Sequence, residues 1–187
     1  DGTKEFIKKN GEFTVNIALI SNKQAVAGVI YVPVIEDLYF GILGSGAWKK
    51  EKVSVNDCFS MSFDELCNQS IKLPHEHKDR PFTICASRSH LDDKTKGYVE
   101  EKKLKYPDLN FLSRGSSLKL CMIAEGLADI YPRFAPTYEW DTAAGNAIVS
   151  ASGGKVLRED MPAIDLSYNK ENLLNPFFFA IKNNYDE

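Results

Sequence analysis

At 187 residues the chain can bury a substantial core, as one domain or as two small lobes. Hydrophobic residues make up 43% and charged residues 26%, which excludes a disordered segment. A formal charge of −3 excludes general attraction to nucleic acid or anionic lipid, so an anionic ligand must be met by locally placed cations, backbone N–H groups or a metal. No apolar run nears the roughly 18 residues that suggest a membrane span.

Cys58, Cys67, Cys85 and Cys121 are widely spaced and form no C-x-x-C pair, the pattern of reduced thiols and not of a disulfide framework or zinc site. A cytoplasmic protein is expected, with a peripheral place at the inner membrane left open. Oligomeric state is unspecified.

From the N-terminus, Thr3 to Lys9 reads as a short helix, with Thr3 as its cap and Gly11 just past its end. Phe13 to Ile20 and Ala25 to Val34 read as strands joined by a Ser21–Gln24 turn, and Asp37 to Trp48 as a third strand loosened by glycines. Short connections predict an antiparallel meander. Cys58 to Pro81 is irregular and polar, the composition of a linker between lobes. The domains expected are therefore 1–74, the remainder of a first lobe, and 75–187, a second.

Beyond the linker, Phe82 to Ala86 reads as a strand and Asp92 to Lys105 as a solvated helix. Ser116 to Glu125 reads as a helix stopped by Gly126, Ala128 to Pro132 as a strand, and Asp141 to Ser152 as a small-residue helix capped by Asp141. Strands alternating with helices make the second lobe α/β.

Three places join a helix start to a polar cluster. In Asp1-Gly2-Thr3 the glycine permits close backbone approach, Asp1 offers a carboxylate to a hard cation, and Thr3 offers a hydroxyl to a water. Taken alone, the triplet reads as a capped turn. In Glu139-Trp140-Asp141-Thr142-Ala143-Ala144-Gly145, Asp141 is an N-cap or a ligand, with Trp140 expected to pack beneath it. In Ser116-Ser117-Leu118-Lys119, a cation in the first helical turn opposes the dipole unless an anion compensates, and Arg133 follows at the end of the next strand. His90, in Ser87-Arg88-Ser89-His90, sits after a strand, where α/β proteins place ligand groups. His75-Glu76-His77 has zinc-like spacing but no third ligand nearby.

Together these segments resemble the inositol monophosphatase superfamily. Asp1-Gly2-Thr3 is similar to the end of its D-P-x-D-G-T motif, and Trp140 to Gly145 matches W-D-x-A-A-G. The segment Lys4 to Ile17, with Ser87–His90, Ser116-x-x-Lys119 and Arg133, resembles the CysQ-type branch of 3′(2′),5′-bisphosphate nucleotidases. The resemblance implies an α/β (α+β) fold, a layered αβαβα sandwich of the sugar-phosphatase type, with its N-terminal portion missing. It also implies Mg²⁺-dependent hydrolysis of 3′-phosphoadenosine 5′-phosphate to AMP and phosphate, in sulfur metabolism, with lithium inhibition.

The same resemblance distributes roles. Asp1 and Asp141 would be metal ligands, and Thr3 would orient the attacking water beside Asp1. Gly2 and Thr3 would hold the transferred phosphate, while His90, Ser116, Lys119, Arg133 and Asp141 would contact the rest of the nucleotide. The family's first motif aspartate, its adjoining carbonyl and an upstream glutamate should precede Asp1, so an incomplete, inactive fragment is expected. The rival readings are an inositol-phosphate phosphatase of the same superfamily and a non-catalytic anion-binding module. Substrate comparison separates the first; the gene's upstream sequence separates the second.

Overall fold

The computed structural model describes residues 1–54, 56, 60–75, 77, 79–86 and 92–185. It opens with a short helix, α1 (Thr3–Ile7), whose cap is Gly2 in the left-handed region at φ +89°. No side chain caps α1, so Thr3 is its first residue and not the expected cap.

Five antiparallel strands follow in sequential order: β1 (Val15–Ser21), β2 (Gln24–Val32), β3 (Asp37–Ile42), β4 (Gly46–Lys50) and β5 (Ile71–Leu73). This is the expected meander, with one correction. The stretch from Asp37 to Trp48 is two strands, because the chain reverses at Gly44 (φ +82°). Glycines that read as loosening one strand instead make a hairpin turn.

The expected linker is also corrected. Between residues 58 and 81 lie β5 and a helix, α2 (Phe63–Asn68), whose Ser62 and Glu65 form a reciprocal capping box. Leu66 and Cys67 pack on Leu38, Phe40 and Val53, so this segment belongs to the first sheet. Pieces this short carry no readable periodicity and are fixed by tertiary packing.

The second sheet has the order β7-β6-β8-β10-β9, built from β6 (Thr83–Ala86), β7 (Asn110–Ser113), β8 (Ile130–Arg133), β9 (Lys155–Arg158) and β10 (Phe178–Ile181). Strands β7, β6 and β8 are parallel; β10 runs antiparallel to both its neighbours. Helix α3 (Asp93–Lys105) covers one face, with Val99 against Ile84 and Ile130.

Two helices fill the space between the sheets: α4 (Leu118–Glu125) and α5 (Glu139–Ala151). One continuous core takes Ile30 and Val32 from the first sheet, Ile123 and Ile148 from the helices, and Val156 and Phe178 from the second. Each such side chain, fully buried, contributes about 1.5–3 kcal/mol. Contact between α5 and β2 is very close. A methyl group on Gly28 would overlap the Ala144 carbonyl oxygen, so backbone meets backbone there.

The layers are thus sheet, helices, sheet, helix. On the outer face of the first sheet α2 covers Leu38 and Phe40, while Val15, Ile17 and Leu19 of β1 are 50%, 66% and 61% exposed.

Two polar clusters cross between parts of the fold. Asp129, 4% exposed, accepts from Arg80, Lys182 and the Thr83 N–H, tying the crossing segment to the second sheet. At the far end of α4, Glu125 accepts from the Tyr39 hydroxyl of β3 at 2.8 Å and meets Lys49 of β4 at 3.4 Å. Cys67, Cys85 and Cys121 are free thiols, while Cys58 lies outside the described residues. Among the described residues, no helix is long and apolar enough to cross a membrane.

Candidate active site

The N-terminal ends of α4 and α5 and the start of α1 converge on one cleft. Asp1, Gly2, Ser116, Lys119, Arg133 and Asp141 line a cavity of about 220 Å³. A neighbouring hollow of about 520 Å³ is shared by Asp1, Gly2, Asp141 and Thr3. Residues more than a hundred positions apart in the chain therefore face one another. His90 lies outside the described residues. His75 and His77 approach Gly126, at the opposite end of α4 from the cleft.

Gly2 is required twice over. Its φ of +89° disfavours any side chain, and a Cβ would come within 3.1 Å of both Phe13 Cα and Ser116 Cβ. With no side chain there, Asp1 and the 115–117 loop close onto each other. Asp1 Oδ2 accepts from the Ser117 hydroxyl at 3.1 Å and, in a shorter contact, from that of Ser116. Ser116 itself holds φ +48°, an uncommon conformation for a residue with a side chain.

Asp141 is not the cap of α5. That place belongs to Tyr138, and Asp141 stands three residues in, its Oδ2 accepting from the Tyr138 N–H at 2.8 Å. The carboxylate is thereby pinned at the helix N-terminus, where the dipole favours negative charge. Trp140 does not pack beneath it. The indole is 59% exposed and stacks on the Tyr138 ring at 4.8 Å.

Lys119 is 5% exposed and lies 5.5 Å over the Tyr131 ring, its ammonium donating to the carbonyls of Ser116 (2.8 Å) and Arg114 (3.1 Å). Those carbonyls supply part of the compensation expected of an anion. Burial, aided by the nearby Arg133 charge, still pushes its pKa down to about 8. The Arg133 guanidinium reaches the Pro136 carbonyl at only 3.4 Å, and its buried Nε has no hydrogen-bond partner among the described residues. Two cations thus line one cavity, a charge arrangement that suits an anion.

The donor set also suits a small hard cation. Asp1 and Asp141 each engage one carboxylate oxygen in the bonds above and leave the other uncommitted among the described residues. Two carboxylates, with waters and phosphate oxygens completing the shell, is a common arrangement for such an ion. Among the described residues no group of three or more His, Cys, Asp or Glu side chains is placed to hold a metal.

Sequence reading singled out residues 4–17 for their resemblance but missed that this segment holds these groups. Glu12 accepts from the Gly115 N–H at 2.6 Å, Thr14 bonds Ser116 at 2.7 Å, and Asn16 donates to Ser117 at 2.7 Å. Polar residues at every second position of an otherwise apolar run were the available signal.

This constellation, on two sheets enclosing a helical layer, is that of a sugar-phosphatase fold. Residues 1–174 match the inositol monophosphatase family, and the chain belongs to it. That family is one of metal-dependent phosphatases. The chain is 42% identical over 184 residues to the 3′(2′),5′-bisphosphate nucleotidase CysQ of Salmonella typhimurium, and 46% identical over 183 residues to CysQ of Buchnera aphidicola. It covers 95% and 96% of itself in these matches, but 63% and 61% of the relatives' lengths. The crystal structure of CysQ from Bacteroides thetaiotaomicron superimposes with a TM-score of 0.91 at 47% identity, covering 97% of this chain and 67% of that one.

Proposed function

We propose that the protein is a Mg²⁺-dependent phosphomonoesterase that hydrolyses 3′-phosphoadenosine 5′-phosphate to AMP and phosphate. The observation that carries this reading is a cavity holding both a pair of carboxylates, each with one oxygen uncommitted among the described residues, and the cationic pair Lys119 and Arg133. One half suits a phosphate under attack; the other suits a second phosphate that stays. The relatives' names agree with such a substrate. We also read the chain as two lobes, 1–74 and 75–187, with the cleft between them.

Asp1 and Asp141 would hold Mg²⁺, which offsets charge on the phosphoryl oxygens and makes a water more acidic. Thr3, in the same hollow, turns its hydroxyl to orient that water against the phosphorus. The backbone N–H groups of Gly2 and Thr3 receive the transferred phosphate's oxygens as their charge grows. Lys119, Arg133 and Ser116 hold the remaining phosphate, which fixes the ester bond relative to the water.

The test compares phosphate release from the adenosine bisphosphate and from an inositol monophosphate, in wild type and Arg133→Met, using the full-length protein. A hydrogen bond to a charged group contributes about 1.5–3 kcal/mol, so the variant should lose about 10- to 150-fold in kcat/KM on the bisphosphate. The monophosphate should change by less than about 2-fold. Equal losses on both substrates would overturn the second-phosphate subsite, and wild-type preference for the inositol phosphate would overturn the substrate.

A further inference from the structure

Three consecutive residues of one loop are bonded by three alternate residues of an extended segment. Gly115, Ser116 and Ser117 meet Glu12, Thr14 and Asn16 in turn. An extended chain points every second side chain the same way, so a single face of residues 12–16 carries this polar ladder. Two of its rungs end on the hydroxyls that donate to Asp1.

The Asn16 rung has a directional consequence. Ser117 Oγ has three polar neighbours: Asn16 Nδ2 at 2.7 Å, Asp1 Oδ2 at 3.1 Å and the Asp141 carbonyl at 3.5 Å. A serine hydroxyl has one proton to give and two lone pairs with which to accept. The Asn16 amide can only donate through Nδ2, so it occupies a lone pair and leaves the Ser117 proton for Asp1. The Asp141 carbonyl, at the limit of hydrogen-bond length, competes poorly. Asn16 Oδ1 is buried and has no partner among the described residues. Turning the amide over would leave an NH₂ unpartnered instead, and would draw the Ser117 proton away from an ionised carboxylate, where a hydrogen bond is strongest.

We infer that Asn16 is a positioning residue: through Ser117 it fixes the Asp1 carboxylate by one oxygen and so presents the other to a divalent cation. The inference rests on Asp1 being a metal ligand, as proposed above. Outer partners that orient a metal-ligating carboxylate commonly govern affinity by 10- to 100-fold.

The test measures Mn²⁺ and Mg²⁺ binding to the substrate-free, full-length protein by calorimetry, with metal-free melting temperatures alongside. Asn16→Asp offers only oxygens and takes the Ser117 proton for itself. Metal affinity should fall by about 10-fold or more, although an added negative charge nearby would by itself tighten cation binding. Asn16→Leu, which keeps the volume but leaves the Ser117 proton undirected, should lose less than Asn16→Asp. In a Ser117→Ala background, Asn16→Asp should cause no further loss. Unchanged or tighter binding in Asn16→Asp overturns the inference, as does an equal loss with and without Ser117. Should Asn16→Asp fail to fold, unchanged affinity in Asn16→Leu overturns it. Asp1→Asn separates the two levels. Lost binding there with normal binding in the Asn16 variants defeats the Asn16 link alone, whereas unchanged binding in Asp1→Asn defeats the reading of Asp1 and this inference with it.

Discussion

Replacing Lys119 with methionine should remove a specific pH dependence from both stability and ligand binding. The ammonium is 5% exposed, and burial pushes its pKa down to about 8, against about 10.4 for a free lysine. At 1.36 kcal/mol per pKa unit, the protonated form strains the empty fold by about 3 kcal/mol. The sign follows from the depressed value. Below pH about 8 the penalty is fully present, and it is relieved as pH rises towards about 10.4, where the folded lysine is neutral and the unfolded one still protonated. Wild type should therefore gain stability over that window relative to Lys119→Met. An anion held by the ammonium reverses the preference, so affinity for AMP should fall about 10-fold per pH unit above about 8. The phosphate, with its second pKa near 6, is already dianionic throughout. Calorimetric titration of the metal-free, full-length protein with AMP from pH about 7 to about 9.5 reads this directly. A flat wild-type profile, or an equal slope in Lys119→Met, refutes the reasoning.

Asp141→Asn keeps an acceptor for the Tyr138 N–H, so unfolding free energy should change by less than about 1 kcal/mol while Mg²⁺-dependent phosphate release falls at least about 100-fold. Near-normal turnover beside an unchanged denaturation midpoint would remove Asp141 from the ligand set. Gly145→Ala would gain about 1 kcal/mol of helix propensity. Its new methyl, however, would lie within 2.7 Å of Leu120 Cβ, and overpacking of about 1–3 kcal/mol should win. A raised melting temperature would show that α4 and α5 are less tightly seated than described.

What the sequence made legible was local. Asp1-Gly2-Thr3 and Trp140 to Gly145 are contiguous, and the strands from Val15 to Val32 alternate visibly, so the motifs and the meander could be read off. Asp141 was misplaced at the cap because Asp is a favoured N-cap in general; only the tertiary turn at Tyr138 moves the helix start upstream. The segments α2, β5, β9 and β10 are three to six residues long and take their conformation from neighbours remote in sequence. The pairing of Glu12, Thr14 and Asn16 with residues 115–117 joins positions about a hundred residues apart, and the polar alternation that marks one side does not name its partner.

Helix α4 is moored to the first sheet's part of the chain at both ends. Glu125 takes the Tyr39 hydroxyl and Lys49 at one end; residues 115–117, just before the other, are bonded to Glu12, Thr14 and Asn16. A hinge rotation that swung one sheet away from the other would have to break both moorings together, and would also peel α5 from the backbone of Gly28. Jaw-like opening of the two sheets is therefore a costly way to widen this cleft. Loop movement at the mouth breaks none of these contacts, and under the proposed function turnover should be insensitive to cross-links that staple the two sheets together away from it.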